Sequence, residues 1–285
     1  MVESDLNRWL TSASRRTLVV GIINMTPDSF SDGGRLSGPE EAADLAEEMV
    51  AAGADWLDVG GESTRPGSRP VDPDEQVRRA IPAIAAIRKR VDAIISIDTT
   101  SSRVAQEAVG AGANIVNDVS AGRNDPDMLP MIGRRGLAVV LMHMQGSPQT
   151  MQQSPSYRNV TVEVSAFLLE RRDRAADAGV DRAKIIFDAG IGFGKNLGHD
   201  LTLLHDTAAL AGLGQPLMVG PSRKRFIGEI TGEKQPEKRI MGTAAVVAWC
   251  VAAGAAAVRV HDVGPITQTV RMIEAISSQK IRGIS

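Results

Sequence analysis

Asp98, Asn117 and Asp188 each stand at the end of a short apolar run: Ile94 to Ile97, Ile115-Val116 and Ile185 to Phe187. Two carboxylates and an amide brought together from three segments suit a flat heterocycle carrying several N–H donors. Any one of them alone reads as a helix cap or turn former; three together read as a binding floor. Arg259 and His261 alternate along a fourth run, so both face the same side of a strand. A cation and an imidazole inside a fold need an anion beside them. An internal salt bridge to Asp58 or Asp262 meets that need. So does a diphosphate, whose metal Asn24, at the end of a further run, helps to hold. Ser222-Arg223-Lys224 follows the run Pro216 to Val219. Ser222 is predicted to N-cap a helix there, aiming N–H groups and two cations at one mouth, a place for a carboxylate or phosphate. A capped helix with solvated basic residues is the plainer reading.

The elements that must position these groups repeat one sentence. After Gly53, Trp56 to Val59 reads as a buried strand, and Gly60-Gly61 breaks it into a polar loop with Glu62, Ser63, Thr64 and Arg65. Gly112, Gly179 and Gly254 likewise precede apolar runs that end in Asn117, Asp188 and His261. Each glycine suits the end of a helix, and each run suits a strand. About eight strand candidates alternate with helices in this way, the count of a closed α/β barrel. The predicted fold is a (β/α)8 TIM barrel, one domain over residues 17–285, with a short N-terminal extension at 1–16. An open doubly wound sheet is the competitor. Polar strand ends spread along the whole chain, instead of gathering at one switch point, favour the barrel. Within the helices, Pro82 predicts a kink or a break, and Asp125-Pro126 reads as a cap with its following proline.

With 285 residues and a net charge of −2, the chain has no basic field for nucleic acid or an anionic membrane. Residues 1–16 lack the apolar core of a secretory signal, and the apolar run Val246 to Val258 is too short to span a bilayer. The lone Cys250 excludes an internal disulfide, fits a reducing compartment, and reads as a buried inert thiol. A cytoplasmic location is the expectation. Gly190 to Lys195 has G-x-G-x-G-K spacing, which is neither a Walker A loop nor a dinucleotide fingerprint. It reads as a tight turn bringing backbone close to a ligand. His143, His199 and His205 have no spaced partners and read as structural. No paired-carboxylate glycosidase pattern, Ser-His-Asp order or Cys/His metal cluster is present.

Four motifs carry a resemblance. Asn24-Met-Thr-Pro-Asp-Ser-Phe-Ser-Asp-Gly-Gly34, Gly60-Gly-Glu-Ser-Thr-Arg-Pro-Gly67, Asp188-Ala-Gly-Ile-Gly-Phe-Gly-Lys195 and Ser222-Arg-Lys224 resemble the dihydropteroate synthase family, in the same order. The likeness runs from Thr17 to the C-terminal helix. It implies a homodimeric barrel in folate synthesis that joins p-aminobenzoate to 6-hydroxymethyl-7,8-dihydropterin diphosphate with Mg2+. It implies that Asp188 and Asn117 hold the pterin edge, with Asp98 beside them and Met142 on the floor. Lys224 reaches the ring, Arg259 stacks over it, and Arg259, His261 and, through Mg2+, Asn24 hold the diphosphate. Thr64, which contacts both substrates, and Arg65 belong to a loop that closes the site. Phe30, Thr64, Pro66, Phe193 and Ser222 frame the aminobenzoate. Arg65, Lys224, Arg259 and His261 are the catalytic candidates. Two positions depart from the family: Ala189 replaces a usual proline, and Pro221 replaces a small or apolar residue, removing one N–H near the anion site. Neither removes a side chain named above.

Two other readings share the barrel. A corrinoid-linked, methyltetrahydrofolate-dependent methyltransferase has a similar pterin clamp but should lack the Ser-Thr-Arg-Pro-Gly loop and Ser-Arg-Lys, both present here. A non-catalytic pterin-binding paralogue conflicts with intact Asn24, Thr64, Arg65, Lys224 and His261.

Overall fold

A computed structural model describes residues 3–26, 38–63, 65 and 67–278. Eight strands form one closed barrel in sequence order, and every neighbouring pair is parallel. They are β1 (Leu18–Asn24), β2 (Trp56–Gly60), β3 (Ile94–Asp98), β4 (Ile115–Asp118), β5 (Ala138–Met142), β6 (Ile185–Asp188), β7 (Leu217–Val219) and β8 (Ala257–Val260). The closure excludes the open sheet and leaves no strand edge unpaired.

Strand periodicity sorts each strand into two faces. Val19, Leu57, Ile95, Val116, Val139, Phe187 and Val258 point out into the main apolar cluster under the surrounding helices. Leu18, Trp56, Ile94, Ile115, Ala138, Ile186, Met218 and Ala257 belong to a second apolar cluster. They lie in the first half of their strands, so they fill the N-terminal half of the barrel. Two residues further along the same inward faces come Asp58, Ser96, Asn117, Asp188 and Arg259, and two beyond Ser96 and Arg259 come Asp98 and His261. An apolar floor therefore supports a polar rim, the arrangement that places barrel active sites at the C-terminal mouth.

The segment 1–16 is more than an extension. Helix α1 (Glu3–Thr11) lays Leu6, Trp9 and Leu10 into the inner cluster, and the Trp9 Nε1–H donates to the Arg16 carbonyl at 2.8 Å. Trp9 is 6% exposed. Trp9→Ala is expected to cost about 3–5 kcal/mol of stability, seen as a lower denaturant midpoint at an unchanged slope. An unchanged midpoint would separate α1 from the core.

The helices alternate with the strands: α2 (Pro39–Ala51), α3 (Pro73–Arg90), α4 (Ser102–Ala111), α5 (Met128–Arg135), α6 (Val160–Asp177), α7 (Leu197–His205), α8 (Thr207–Ala211), α9 (Arg225–Thr231), α10 (Ile240–Ala252) and α11 (Val263–Ser278). Two local expectations need correction. Pro82 does not break α3, which is continuous. Its ring is exposed, and the helix forgoes only one solvent-side hydrogen bond. Asp125 does not cap α5, which starts at Met128. Its carboxylate instead accepts from Asp127 N–H at 2.9 Å and Ser102 N–H at 2.7 Å, joining a turn to the start of α4. Among the described residues no helix is long and apolar enough to cross a membrane.

Candidate active site

Barrel register sets the height of the polar groups. Asp98 lies opposite Asn117, Gly60 opposite Asp98, and Asn24 opposite Gly60. On the other side Met142 lies opposite Asp188. All open on one cavity of about 710 Å3 at the C-terminal mouth. Asn24, Asp98, Asn117, Met142 and Asp188 line it from the strands, and Arg65, Phe193, Ser222 and Lys224 from the loops. Arg259 and His261 complete the wall at β8. Every predicted site residue that the structure describes thus faces the same space. Phe30, Thr64 and Pro66 lie outside the described residues.

The floor is a chain of buried charges. Arg259 donates from Nε to Asp58 at 2.5 Å and from Nη2 to Asp98 at 2.9 Å. The internal salt bridge to Asp58 is therefore present, and Asp262 belongs to a different pair. Asp58 was visible in the sequence only as a possible partner. A carboxylate between Leu57 and Val59 on an inward strand face is the signal that marks it as part of the site. Asn117 donates from Nδ2 to Asp58 at 3.1 Å. The second Asp98 oxygen, Oδ1, meets no hydrogen-bond donor among the described residues. Burial pushes the Asp98 carboxyl up to about 7, with Arg259 opposing and Asp58 adding to the rise. Asp188 is also pushed up by burial and held back by Lys224; it accepts from Gly190 N–H at 2.7 Å.

Lys224 reaches across the mouth. Its ammonium donates to the Ile191 carbonyl and stands 4.7 Å from the centre of the Phe193 ring. Burial draws its pKa down to about 8 against the pull of Asp188. The loop under it is held by side chains that the sequence did not single out. Asp200 accepts from Gly192 N–H at 2.6 Å, and Gln152 donates to the Gly192 carbonyl at 2.8 Å. The Tyr157 hydroxyl donates to Gly194 at 2.7 Å. The tight turn is confirmed, and its glycines are needed for a specific reason. Gly190 and Gly194 sit at φ 64°, and a Cβ on either would run into the backbone of His143 or Gln145. The close approach at these two positions is to the neighbouring loop.

Ser222 is not a helix cap. Helix α9 begins at Arg225 because Arg223 takes the left-handed conformation, φ 60°, and turns the chain first. Arg223 is held there by Asp262 at 3.0 and 2.6 Å, so the two cations of this motif do not share one task. Ser222 Oγ accepts from His261 N–H at 3.1 Å and lies 2.9 Å from His261 Nδ1. The hydroxyl has a second lone pair, so either partner of that contact can be the donor. Burial and the neighbouring Arg223 and Arg259 draw the His261 pKa down to about 3. With its pKa so lowered, His261 enters the site as an uncharged imidazole rather than a second cation.

The other histidines are structural, as expected. His143 Nδ1 lies 3.0 Å from Lys195 Nζ in a buried pair, His199 completes a capping box with Asn196, and His205 stacks on Trp249. Cys250 is free and buried.

The comparisons with known proteins follow this geometry. A family model described as Pterin binding enzyme matches residues 20–261. The chain is 44% identical over 262 residues to the dihydropteroate synthase of Synechocystis sp., covering 92% of this chain and 91% of that protein. A crystal structure of Yersinia pestis dihydropteroate synthase with a sulfonamide drug superposes with a TM-score of 0.89 at 39% identity, over 92% of this chain and 95% of that one. Xanthomonas albilineans dihydropteroate synthase in complex with 7,8-dihydropteroate gives 0.84 at 38% identity, over 92% and 94%.

Proposed function

We infer the reaction from the family, since the chain belongs to the dihydropteroate synthases: it condenses 6-hydroxymethyl-7,8-dihydropterin diphosphate with p-aminobenzoate, giving 7,8-dihydropteroate and diphosphate. The observation that carries this reading is the sorting of charge within one mouth. Oxygen acceptors from β3, β4 and β6 sit deep, while Lys224, Arg259 and the His261 imidazole stand round them. That suits a ring rich in N–H attached to an anion.

In this reading Asp188, Asn117 and Asp98 receive the ring edge, with Met142 beneath it. Lys224, beside Asp188, reaches the ring, and Arg259 and His261 face the diphosphate. The C–O bond breaks with its electron pair leaving on the diphosphate, whose charge these donors stabilise. The electron-rich dihydropterin bears the positive charge left on the methylene carbon. The aminobenzoate nitrogen then forms the C–N bond and releases a proton to solvent. It needs positioning more than a base. Phe193 and Ser222, with Phe30 and Pro66, frame it, and Arg65 with Thr64 closes the site.

Asn24 fits a metal that arrives with the substrate. Its side chain lines the cavity. Among the described residues no group of three or more His, Cys, Asp or Glu could hold an ion without help. Mg2+ takes one or two protein oxygens together with water and substrate phosphates. When bound, Mg2+ would neutralise charge on the departing diphosphate. Asn24→Ala is expected to raise several-fold the Mg2+ concentration giving half-maximal rate, read from a metal titration at fixed substrates. An unchanged midpoint removes Asn24 from the metal's surroundings.

A homodimer is part of the same reading. It is supported by Met241, 78% exposed, and Trp249, 53% exposed, on the largely apolar helix α10. Light scattering tests it, and a monomer at all concentrations would count against it. The single, buried Cys250 supports a cytoplasmic location. The function itself is tested by mixing pterin diphosphate, p-aminobenzoate and Mg2+ with the protein. Dihydropteroate and diphosphate should appear together; neither product would appear if the chain only bound pterin.

A further inference from the structure

We propose that Asp58, which does not line the cavity, is a positioning residue that fixes the polarity of the pterin floor by dictating which atoms of Asn117 and Arg259 the substrate meets. The proposal rests on reading the cavity as a pterin site.

The hydrogen-bond chain behind the floor starts from a group that can only donate. Trp56 Nε1–H donates to Ser96 Oγ at 2.6 Å. The Ser96 hydroxyl, accepting there, passes its own proton to Asp58 Oδ1. The other carboxylate oxygen, Oδ2, accepts from Asn117 Nδ2 and from Arg259 Nε. Asp58 is 1% exposed and, as a carboxylate, offers acceptors alone. Nothing in this chain can reverse, because its first member has no lone pair to offer and its last has no proton.

Two consequences reach the cavity. Asn117 must turn its NH2 down to Asp58, so the atom left for a ligand is its oxygen. That oxygen stands beside the partnerless Asp98 Oδ1, since Asp98 and Asn117 are neighbours in register. With Asp98 ionised, two acceptors side by side select a ring edge with adjacent N–H groups and reject one that offers acceptors there. Arg259 has its Nε and Nη2 taken by carboxylates, which leaves Nη1 with none among the described residues. The guanidinium is thereby held in one plane before substrate arrives.

The test is a pair of variants. Asp58→Asn allows residue 58 to donate, so Asn117 is free to flip. KM for the pterin diphosphate should rise about tenfold, while KM for p-aminobenzoate stays within about twofold. The double variant Asp58→Asn, Asn117→Asp restores oxygen at the floor by another route, since residue 117 then presents an acceptor whichever way either side chain turns. It should recover most of the lost pterin affinity, which a purely structural role for Asp58 does not predict. An unchanged pterin KM in the single variant overturns the proposal, as does a double variant no better than the single one. Should Asp58→Asn fail to fold, Ser96→Ala decides. Among the described residues the Ser96 hydroxyl bonds Trp56 and Asp58 alone, and its loss should raise the pterin KM about threefold; no change sinks the idea. Wild-type protein that makes no dihydropteroate would instead bring down the parent reading, and this proposal with it.

Discussion

Lys224→Met is expected to lower kcat/KM for the pterin diphosphate by about a hundredfold, the usual cost of removing one well-placed donor from the substrate in a buried site. The fold should survive the change. Methionine keeps most of the length of the lysine stem, and the ammonium is poorly solvated where it stands, with its pKa drawn down to about 8 by burial. That shift has a sign in stability. In the unfolded chain a lysine titrates near ~10.4. Between about 8 and ~10.4 the native protein holds fewer protons than the unfolded one, so stability rises with pH across that window. Below about 8 the penalty of the buried charge is constant. The Met variant has no such penalty and should lack this rise. Catalysis carries the opposite signature. In wild type kcat/KM should fall above about pH 8 as Lys224 loses the charge that faces the pterin ring. The variant should have a lower and flatter profile over the same range. Lys224→Arg should not rescue it, because a planar fork cannot both reach the Ile191 carbonyl and stand over Phe193 as a point charge does. A variant within about twofold of wild type would remove Lys224 from the chemistry.

Asn24, Asp98, Asn117, Asp188, Arg259 and His261 could be gathered from sequence for one physical reason. In a parallel barrel all strands end at the same mouth, so a polar residue closing an apolar run has its position set by topology alone. Met142 entered only through the family resemblance, and Lys224 through the Ser222-Arg223-Lys224 motif beyond the end of β7. What escaped was anything set by side-chain direction or by contacts between loops. Ser222 looked like a cap because Ser after a strand usually is one. The left-handed Arg223 that displaces the helix start leaves no mark in composition. His261 read as an imidazole beside a cation, and its charge state follows only from burial beside two arginines, which draws its pKa down. Gln152 and Tyr157 hold the Phe193 loop from about 40 residues away. No periodicity links them to it. Residues 1–16 read as an extension because their apolar residues, Leu6, Trp9 and Leu10, find their partners only inside the barrel.

Arg259→Met should be the most damaging single change, because it strikes stability and catalysis through the same atoms. Asp58 and Asp98 both lie within hydrogen-bond reach of the guanidinium and are otherwise sealed from water. Removing one member of a buried ion cluster costs about 3–5 kcal/mol, since the charges left behind have no solvent to turn to. Activity should fall about 100- to 1,000-fold as the leaving diphosphate loses a fixed cation. The pH dependence distinguishes this account from lost packing. Asp98 already stands at about 7 with Arg259 opposing the rise. A free aspartate titrates near ~3.9. Between those values the native protein binds more protons than the unfolded chain, so wild-type stability declines as pH rises through the window. Without Arg259 the Asp98 carboxyl must climb further, and the decline becomes longer and deeper. The variant should therefore approach wild-type stability near about pH 5 and fall well behind by about pH 8.5, as read from denaturant midpoints at both. A deficit of equal size at the two pH values would mean that the arginine contributes bulk and not charge. The buried carboxylates would then have to be balanced by some group other than Arg259.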